Sequence, residues 1–241
     1  MLSLLLVSLL LLTLIVVFPL IASLSNRHLN SFDWSGYSVA SDSNSPQPLV
    51  KGINASWTVP TVKVSLGNSY SAVWIGVGGQ FDDTLIQAGT EQDSINGQTQ
   101  YSAWYELLPS DAVPINSLSV SPGDQVMTSI SLLNSATNTW YIELKDVTRG
   151  ESFTKSLVYD SSMLSAEWIV ERPTLGNRIQ TLADFGEVAF TNCTATLDGK
   201  AGALGSFPST QVIMYNRQNA MLATVSLLDS GGSSFTVKYQ G

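Results

Sequence analysis

Short runs of β-branched and aromatic residues, each closed by turn residues, follow one another along most of this chain. Beyond the first two dozen residues, no run keeps the 3.6-residue apolar period of an amphipathic helix, whereas Val, Ile, Thr, Tyr and Trp favour strands. The predicted strands span residues 53–59, 70–77, 99–107, 125–133, 140–146, 165–171, 187–197, 211–215, 221–228 and 234–239. Many short strands without intervening helices predict an all-β sandwich or barrel.

Turn dipeptides separate these runs. Asn96-Gly97 and Asp198-Gly199 predict tight hairpins, because both residues of such turns adopt a positive φ. Residues 172–182 form the longest polar loop of the second half. Neither a repeat nor a linker interrupts residues 33–241, so we predict one domain, within the ~200–250 residues common for all-β folds.

The N-terminal segment differs from the rest. Residues 1–22 are apolar and uncharged, close to the ~20 residues that a membrane-spanning helix needs. Small residues follow this run, as they do at a signal-peptide cleavage site. We therefore predict that residues 1–25 are a signal peptide or an uncleaved N-terminal anchor, that 26–32 are a short flank, and that 33–241 are the domain. Either option places the domain outside the cytoplasm, with membrane contact only if the segment stays attached.

The charge balance narrows the class of function. The chain has 19 acidic residues and 11 Lys and Arg, a net charge of −8, and only 12% charged residues. This composition argues against a basic surface for nucleic acid. Few basic groups also limit the self-repulsion that unfolds proteins once acid has protonated their carboxylates. Composition thus suits a secreted protein that works in acid, although a neutral-pH secreted protein with a Ser/Thr-rich surface has a similar composition.

Cysteine and histidine usage narrows the chemistry further. The single cysteine, Cys193, excludes an internal disulfide and a multi-cysteine metal site. The single histidine, His28, lies in the predicted flank, which removes Ser-His-Asp and Cys-His catalysis and histidine-ligated zinc from the predicted domain. Any chemistry must then use carboxylates, amides, hydroxyls, Lys or Tyr, and we expect neither a metal nor a cofactor.

Period-2 alternation assigns side chains to the two faces of each strand. On two predicted strands, one face combines acids with large apolar residues: Ser102, Trp104 and Glu106 on one strand, and Glu167, Ile169 and Glu171 on the other. A solvated face prefers Ser, Thr and Lys. The mixed faces therefore favour a lined cleft over an ordinary surface.

Three segments resemble the glutamic peptidases (eqolisins), acid-acting endopeptidases of the scytalidoglutamic peptidase type. They are residues 85–89 (LIQAG), 101–106 (YSAWYE) and 166–171 (AEWIVE), supported in the family's order by 33–36 (DWSG), 74–76 (WIG), 190–193 (FTNC) and 210–213 (TQVI). The resemblance implies a sandwich of two bent antiparallel sheets, as in legume lectins and some glucanases. It also implies polypeptide substrates, and we expect a monomer.

The resemblance assigns roles to individual residues. Gln87 falls on the family's catalytic glutamine and Glu171 on its catalytic glutamate. Trp74, Trp104 and Glu106 fall on residues that line its substrate cleft. Subsite preference does not carry over, because Gly78 replaces an acidic residue of fungal members and Leu108 an aromatic one.

Amide hydrolysis gives these two residues chemical roles. It needs a base to activate water, a donor for the developing oxyanion and an acid for the leaving nitrogen. The Gln87 amide is a donor at every pH, and Glu171 is the candidate base and then acid. A base must be ionised, so we expect the pKa of Glu171 to stay near the ~4.3 reference or below, held there by hydrogen bonds such as one from Gln87.

Three alternatives remain at this point. Glu167 and Glu171 could be the paired acids of a glycoside hydrolase, although four strand residues separate their α-carbons by about 13 Å, against ~5–5.5 Å between retaining carboxyls. A lectin-like, non-enzymatic domain could bind sugar through its aromatic residues. Residues 228–231 (LDSG) match the nucleophile loop of pepsin-type enzymes, but a second copy is absent and a turn is the better interpretation.

Overall fold

The computed structural model describes residues 28–40 and 49–241, and the predicted leader, residues 1–25, lies outside them. The described residues form these strands and one 3₁₀ turn: β1 (His28–Ser31), β2 (Trp34–Ala40), β3 (Val50–Thr58), β4 (Ala72–Gly78), β5 (Leu85–Ile95), β6 (Gln98–Leu107), β7 (Val113–Pro114), β8 (Gln125–Asn134), β9 (Thr139–Asp146), β10 (Glu151–Val158), β11 (Ser165–Glu171), β12 (Thr174–Leu175), β13 (Arg178–Ile179), β14 (Glu187–Leu197), β15 (Lys200–Ala203), the 3₁₀ turn Leu204–Ser206, β16 (Ser209–Tyr215), β17 (Met221–Val225) and β18 (Phe235–Tyr239). Within these ranges, no helix is long and apolar enough to cross a membrane.

Hydrogen bonds link most strands into one path, in the order β10-β9-β8-β3-β14-β18-β17-β16-β2-β11-β4-β5-β6-β7, and every neighbouring pair along it is antiparallel. The path bends so that β11, β4 and β5 face β3. Two indoles bond across the layers: Trp168 Nε1 donates to the Asn54 carbonyl at 3.0 Å, and Trp57 Nε1 donates to Thr90 Oγ1 at 3.1 Å. The predicted sandwich of two antiparallel sheets is confirmed.

The main core fills the space between the layers. Trp57, Trp140, Trp168 and Phe190 are buried there, and Trp168 and Val170 point into it as the alternation predicted. The sheet that contains β2, β11, β4, β5 and β6 carries a second apolar cluster on its other face: Ala72, Trp74, Leu85, Trp104, Ile169 and Val212, with Trp34 and Leu108 packed against it. That outer face supports the site described below.

Each predicted run forms a strand, and β11 and β14 have the predicted bounds. The predicted hairpins also form, since Asn96 and Gly97 have φ of 52° and 76°, and Asp198 and Gly199 have φ of 46° and 82°. Asp229 caps a turn, because its Oδ1 accepts the backbone N–H groups of Ser233 and Ser234 at 2.7 and 2.8 Å. The turn interpretation of residues 228–231 therefore holds.

The described part of the predicted flank, residues 28–32, belongs to the fold. Strand β1 pairs in parallel with β16, His28 opposite Gln211 and Ser31 opposite Met214. Arg172 donates a hydrogen bond from Nη2 to the Phe32 carbonyl at 2.6 Å, which links the residue before Asp33 to the end of β11. The folded unit thus begins before residue 33 and includes His28, whose side chain is exposed.

Candidate active site

Strand register brings the candidate residues to one face of the sheet. Gln87 on β5 lies opposite Glu106 on β6 and Gly76 on β4. Glu171 on β11 lies opposite Ala72 on β4 and Trp34 on β2. Directly opposed residues of antiparallel strands share a face, so the segments that carried the resemblance meet on the outer face of this sheet.

A cleft of about 590 Å³ opens on that face. Gln87, Glu171, Trp104 and Glu106 line it, as predicted. Its other lining residues lie on or beside the sheet (Asp33, Trp34, Ala72, Leu85, Glu91, Ser102 and Leu108) and in two further segments, here called the rim segments (Asp111, Ala112 and Pro114; Pro173, Thr174, Leu175 and Gly176). Five of the residues that line the cleft are acidic and none is Lys, Arg or His, so the ionisable groups in the lining are carboxyls, beside one carboxamide and the hydroxyls of Ser102 and Thr174.

Trp74 does not line the cleft, and the prediction that it does is wrong. The side chain is fully buried, and its Nε1 donates to Glu171 Oε2 at 2.6 Å. The indole lies beneath the cleft because Gly89, opposite it on β5, leaves room: a Cβ on Gly89 would lie 2.6 Å from the Trp74 Cβ. Trp74 therefore supports the Glu171 carboxyl from below.

The protonation of Glu171 differs from the expected state. Burial, together with the nearby Asp33 carboxylate, raises the pKa of Glu171 to about 8, while hydrogen bonds from Trp74 and Trp34 act in the other direction. The expectation of a pKa near its reference was wrong, because removing the carboxylate from water costs more than two indole N–H donors restore. In an empty cleft at acidic pH, Glu171 is a neutral carboxylic acid.

Gln87 bonds to a different partner from the one expected. Its Nε2 donates to Glu106 Oε2 at 2.5 Å rather than to Glu171, because β5 and β6 pair Gln87 directly with Glu106. The side chain is nearly buried, with 4% of its surface exposed, and Oε1 is buried without a hydrogen-bond partner. Burial raises the pKa of Glu106, and the hydrogen bond from Gln87 partly offsets that rise.

Glu167 does not belong to the cleft. Its side chain is fully buried, neither carboxyl oxygen has a hydrogen-bond partner, and it is absent from the cleft lining. Burial raises its pKa well above the ordinary value. A glycosidase acid must reach the sugar oxygen, so the pairing of Glu167 with Glu171 in a glycoside hydrolase is wrong.

Several cleft residues were not among the predicted site residues. Asp33 and Trp34 were recognised only as part of a supporting motif, although both face Glu171. Glu91 follows Gln87 by four residues on the same face of β5, and strict alternation over 85–91 would have placed it there. The hairpin of β12 and β13, which supplies Leu175, carried no periodic signal.

The fold and the cleft together define a class of β-sandwich proteins in which a carboxyl and a carboxamide line one cleft. Residues 33–239 match the model of the Peptidase A4 family, which spans most of the chain. The protein therefore belongs to the Peptidase A4 family, the glutamic peptidases, as the resemblance indicated.

Named relatives agree with this membership. The chain is 30% identical over 174 residues to aspergillopepsin-2 of Aspergillus niger, covering 70% of this chain, and 27% identical over 179 residues to scytalidopepsin B of Scytalidium lignicola, covering 68% of it. The chain spans 59% and 66% of the lengths of these two relatives. A crystal structure of scytalido-glutamic peptidase with a transition state analog inhibitor superposes with a TM-score of 0.72 at 20% identity, over 87% of this chain and 99% of that one. This likeness confirms the fold.

Proposed function

We propose that this protein is an acid-acting endopeptidase that hydrolyses peptide bonds with Gln87 and Glu171. The observation that carries the proposal is their position: the Glu171 carboxyl and the Gln87 carboxamide line a single cleft whose lining includes neither histidine nor a basic side chain. Family membership supports the same reaction class. Trp104 also lines the cleft and can contact the substrate, and Glu106, in the same lining, accepts a hydrogen bond from Gln87.

Glu171 starts this reaction as a neutral acid, since its pKa is about 8. The water oxygen bonds to the scissile carbonyl carbon while one Glu171 oxygen takes a proton from that water. The Glu171 hydroxyl passes its own proton to the carbonyl oxygen, and a Gln87 N–H donates a hydrogen bond to the same oxygen. Both carboxyl oxygens take part, so Glu171 is neutral before and after this step.

The resulting tetrahedral diol then breaks down through the same carboxyl. Glu171 gives its proton to the amide nitrogen and takes one from a diol hydroxyl as the C–N bond breaks. The products are a carboxylic acid and an amine, and Glu171 is again neutral. This cycle needs no ionised base, which suits a carboxyl whose pKa is raised by burial.

The cleft is lined by a sheet face and by the two rim segments, residues 111–114 and 173–176. We propose that an internal, extended segment of a polypeptide binds along this face. We also propose that the protein acts as a secreted monomer with residues 1–25 as signal peptide or anchor, which N-terminal sequencing of the exported form and its size in solution would test.

The first testable prediction concerns the two residues themselves. Glu171→Gln removes the transferable proton and Gln87→Ala removes an oxyanion donor, so each should lower kcat/KM for an unfolded protein at pH 2–5 by about 10²–10³-fold. The control is Glu151→Gln, an exposed glutamate on β10, which should cleave like the wild type. Robust cleavage by both cleft variants would remove the mechanism, and sugar binding by a wild type that hydrolyses no protein would favour the lectin-like alternative.

A further inference from the structure

We propose that Glu106 is the positioning residue for Gln87: it selects which end of the carboxamide faces the reacting carbonyl. This inference rests on the proposed role of Gln87 as oxyanion donor. Its basis is the bond from Gln87 Nε2 to Glu106 Oε2 at 2.5 Å, between residues that lie directly opposite each other on β5 and β6.

The carboxamide itself cannot determine its orientation. Its oxygen and NH₂ ends are nearly equal in size, and a half turn about the last side-chain torsion exchanges them. Hydrogen-bond partners must therefore select one orientation. Among the described residues, the Gln87 side chain makes one hydrogen bond, from Nε2 to Glu106. Its Oε1 is buried and has no hydrogen-bond partner.

The orientation matters for the reaction. With Nε2 directed to Glu106, which lines the cleft, Gln87 has a second N–H available for the substrate oxygen. In the reversed orientation Oε1 would take that place, and an oxygen that only accepts hydrogen bonds cannot stabilise a developing negative charge. Glu106 thus acts through Gln87 and has no need to touch the carbonyl.

The environment of Glu106 is consistent with this role. The ionisable side chains that act on it or that it affects are Asp111 in a rim segment, Glu171 on β11 and Tyr159, and no basic side chain lines the cleft. The Glu106 carboxyl therefore has no cationic partner there that competes with the Gln87 amide. A carboxyl oxygen accepts this amide hydrogen whether or not the group carries a proton.

The test compares two substitutions of Glu106. Glu106→Leu removes the acceptor and should lower kcat by about 10–100-fold, less than the ~10²–10³-fold loss expected for a missing oxyanion donor, while KM stays within about twofold. Glu106→Gln keeps an acceptor oxygen at nearly the same size and should recover most of kcat. In the Gln87→Ala background, Glu106→Leu should cause no further loss, because residues that act as a unit are not additive.

Two outcomes would overturn the proposal alone: a rise in KM at constant kcat, which would mean direct substrate contact, or a full additional loss in the Gln87→Ala background. If Gln87→Ala leaves kcat unchanged, the proposed function of Gln87 fails instead.

If Glu106→Leu does not fold, the NMR signals of the Gln87 side-chain NH₂ provide the test. These signals are assigned by their absence from the spectrum of Gln87→Ala. They should shift in Glu106→Gln, and unchanged signals would contradict the proposal.

Discussion

Individual hydrogen bonds within the cleft depend on strand register and could not be predicted from residue types. The resemblance predicted that Gln87, Glu106 and Glu171 belong to one cleft, and all three line the same cleft. It did not predict that Gln87 bonds to Glu106, or that Trp74 lies below Glu171 and donates to it. These pairs depend on how β11, β4, β5 and β6 align, which is a property of the assembled sheet.

Asp33 provides a test of how the protonation of Glu171 is set. Its carboxylate is, after burial, the second cause of the raised Glu171 pKa. Asp33→Asn removes that charge while keeping an oxygen for the Ser31 hydroxyl, which donates to Asp33 Oδ1 at 2.7 Å. If the neutral Glu171 acid is the active form, kcat/KM falls as pH rises through the Glu171 pKa, and this fall should begin at lower pH in Asp33→Asn.

The measurement is the pH dependence of kcat/KM from pH 3 to 9. Asp111→Asn is the matched control, because Asp111 also lines the cleft but acts on the pKa of Glu106 and not on that of Glu171. An alkaline fall that stays in place in Asp33→Asn, or activity that increases toward pH 8 in the wild type, would contradict a neutral starting acid.

At the scale of elements, β5 was the main strand that the sequence did not predict. Its cleft face carries Gln87, Gly89 and Glu91, so polar residues and a glycine replace the apolar alternation that marks a strand. A tight turn at Asn96-Gly97 joins two paired strands, so the predicted strand after the turn implied another strand before it. Strand β5 could have been predicted from that turn. The two-residue strands β12 and β13 are too short for any period to show.

Gly89 is the position on β5 where a side chain is excluded. An added Cβ would lie 2.1 Å from the Val73 carbonyl oxygen and 2.6 Å from the Trp74 Cβ, so β4 would have to move. Gly89→Ala should therefore reduce the free energy of unfolding by about 1–3 kcal/mol and lower activity, since Trp74 supports Glu171. Urea denaturation measures the change, with Gly67→Ala as control, because a Cβ there meets nothing within 4 Å. Equal stability of the two variants would refute this account of β5.

At the scale of the whole molecule, buried carboxyls make stability depend on pH. Burial raises the pKa of Asp93 to about 8, with the Glu91 charge adding to the effect, and burial raises the pKa of Glu167 well above its ordinary value. A raised folded-state pKa means that the folded protein holds protons that the unfolded chain has already released. The contribution of these carboxyls to the free energy of unfolding is therefore largest below about pH 4, near the pKa of a carboxyl in the unfolded chain. It decreases as the pH rises toward the folded-state pKa. Burial also raises the pKa of Glu171 to about 8, so this carboxyl acts in the same direction.

Glu167 gives the sharpest test of this dependence, because neither of its oxygens has a hydrogen-bond partner and no catalytic role is assigned to it. The Glu167→Gln variant has no carboxyl to ionise at this position. It therefore avoids two alternative free-energy costs at high pH: burying an unpaired carboxylate, or binding a proton to keep the buried group neutral. At pH 8 its free energy of unfolding in urea should exceed that of the wild type by on the order of 1–3 kcal/mol, and the difference should vanish at pH 3–4. The exposed Glu151→Gln should show no such pH-dependent gain. A Glu167→Gln variant whose stability falls with pH as steeply as that of the wild type would mean that Glu167 does not limit this fold to acid. If the gain appears, burial of Glu167 and burial of Glu171 have the same effect on the fold, which is most stable at the pH values at which both carboxyls hold their protons.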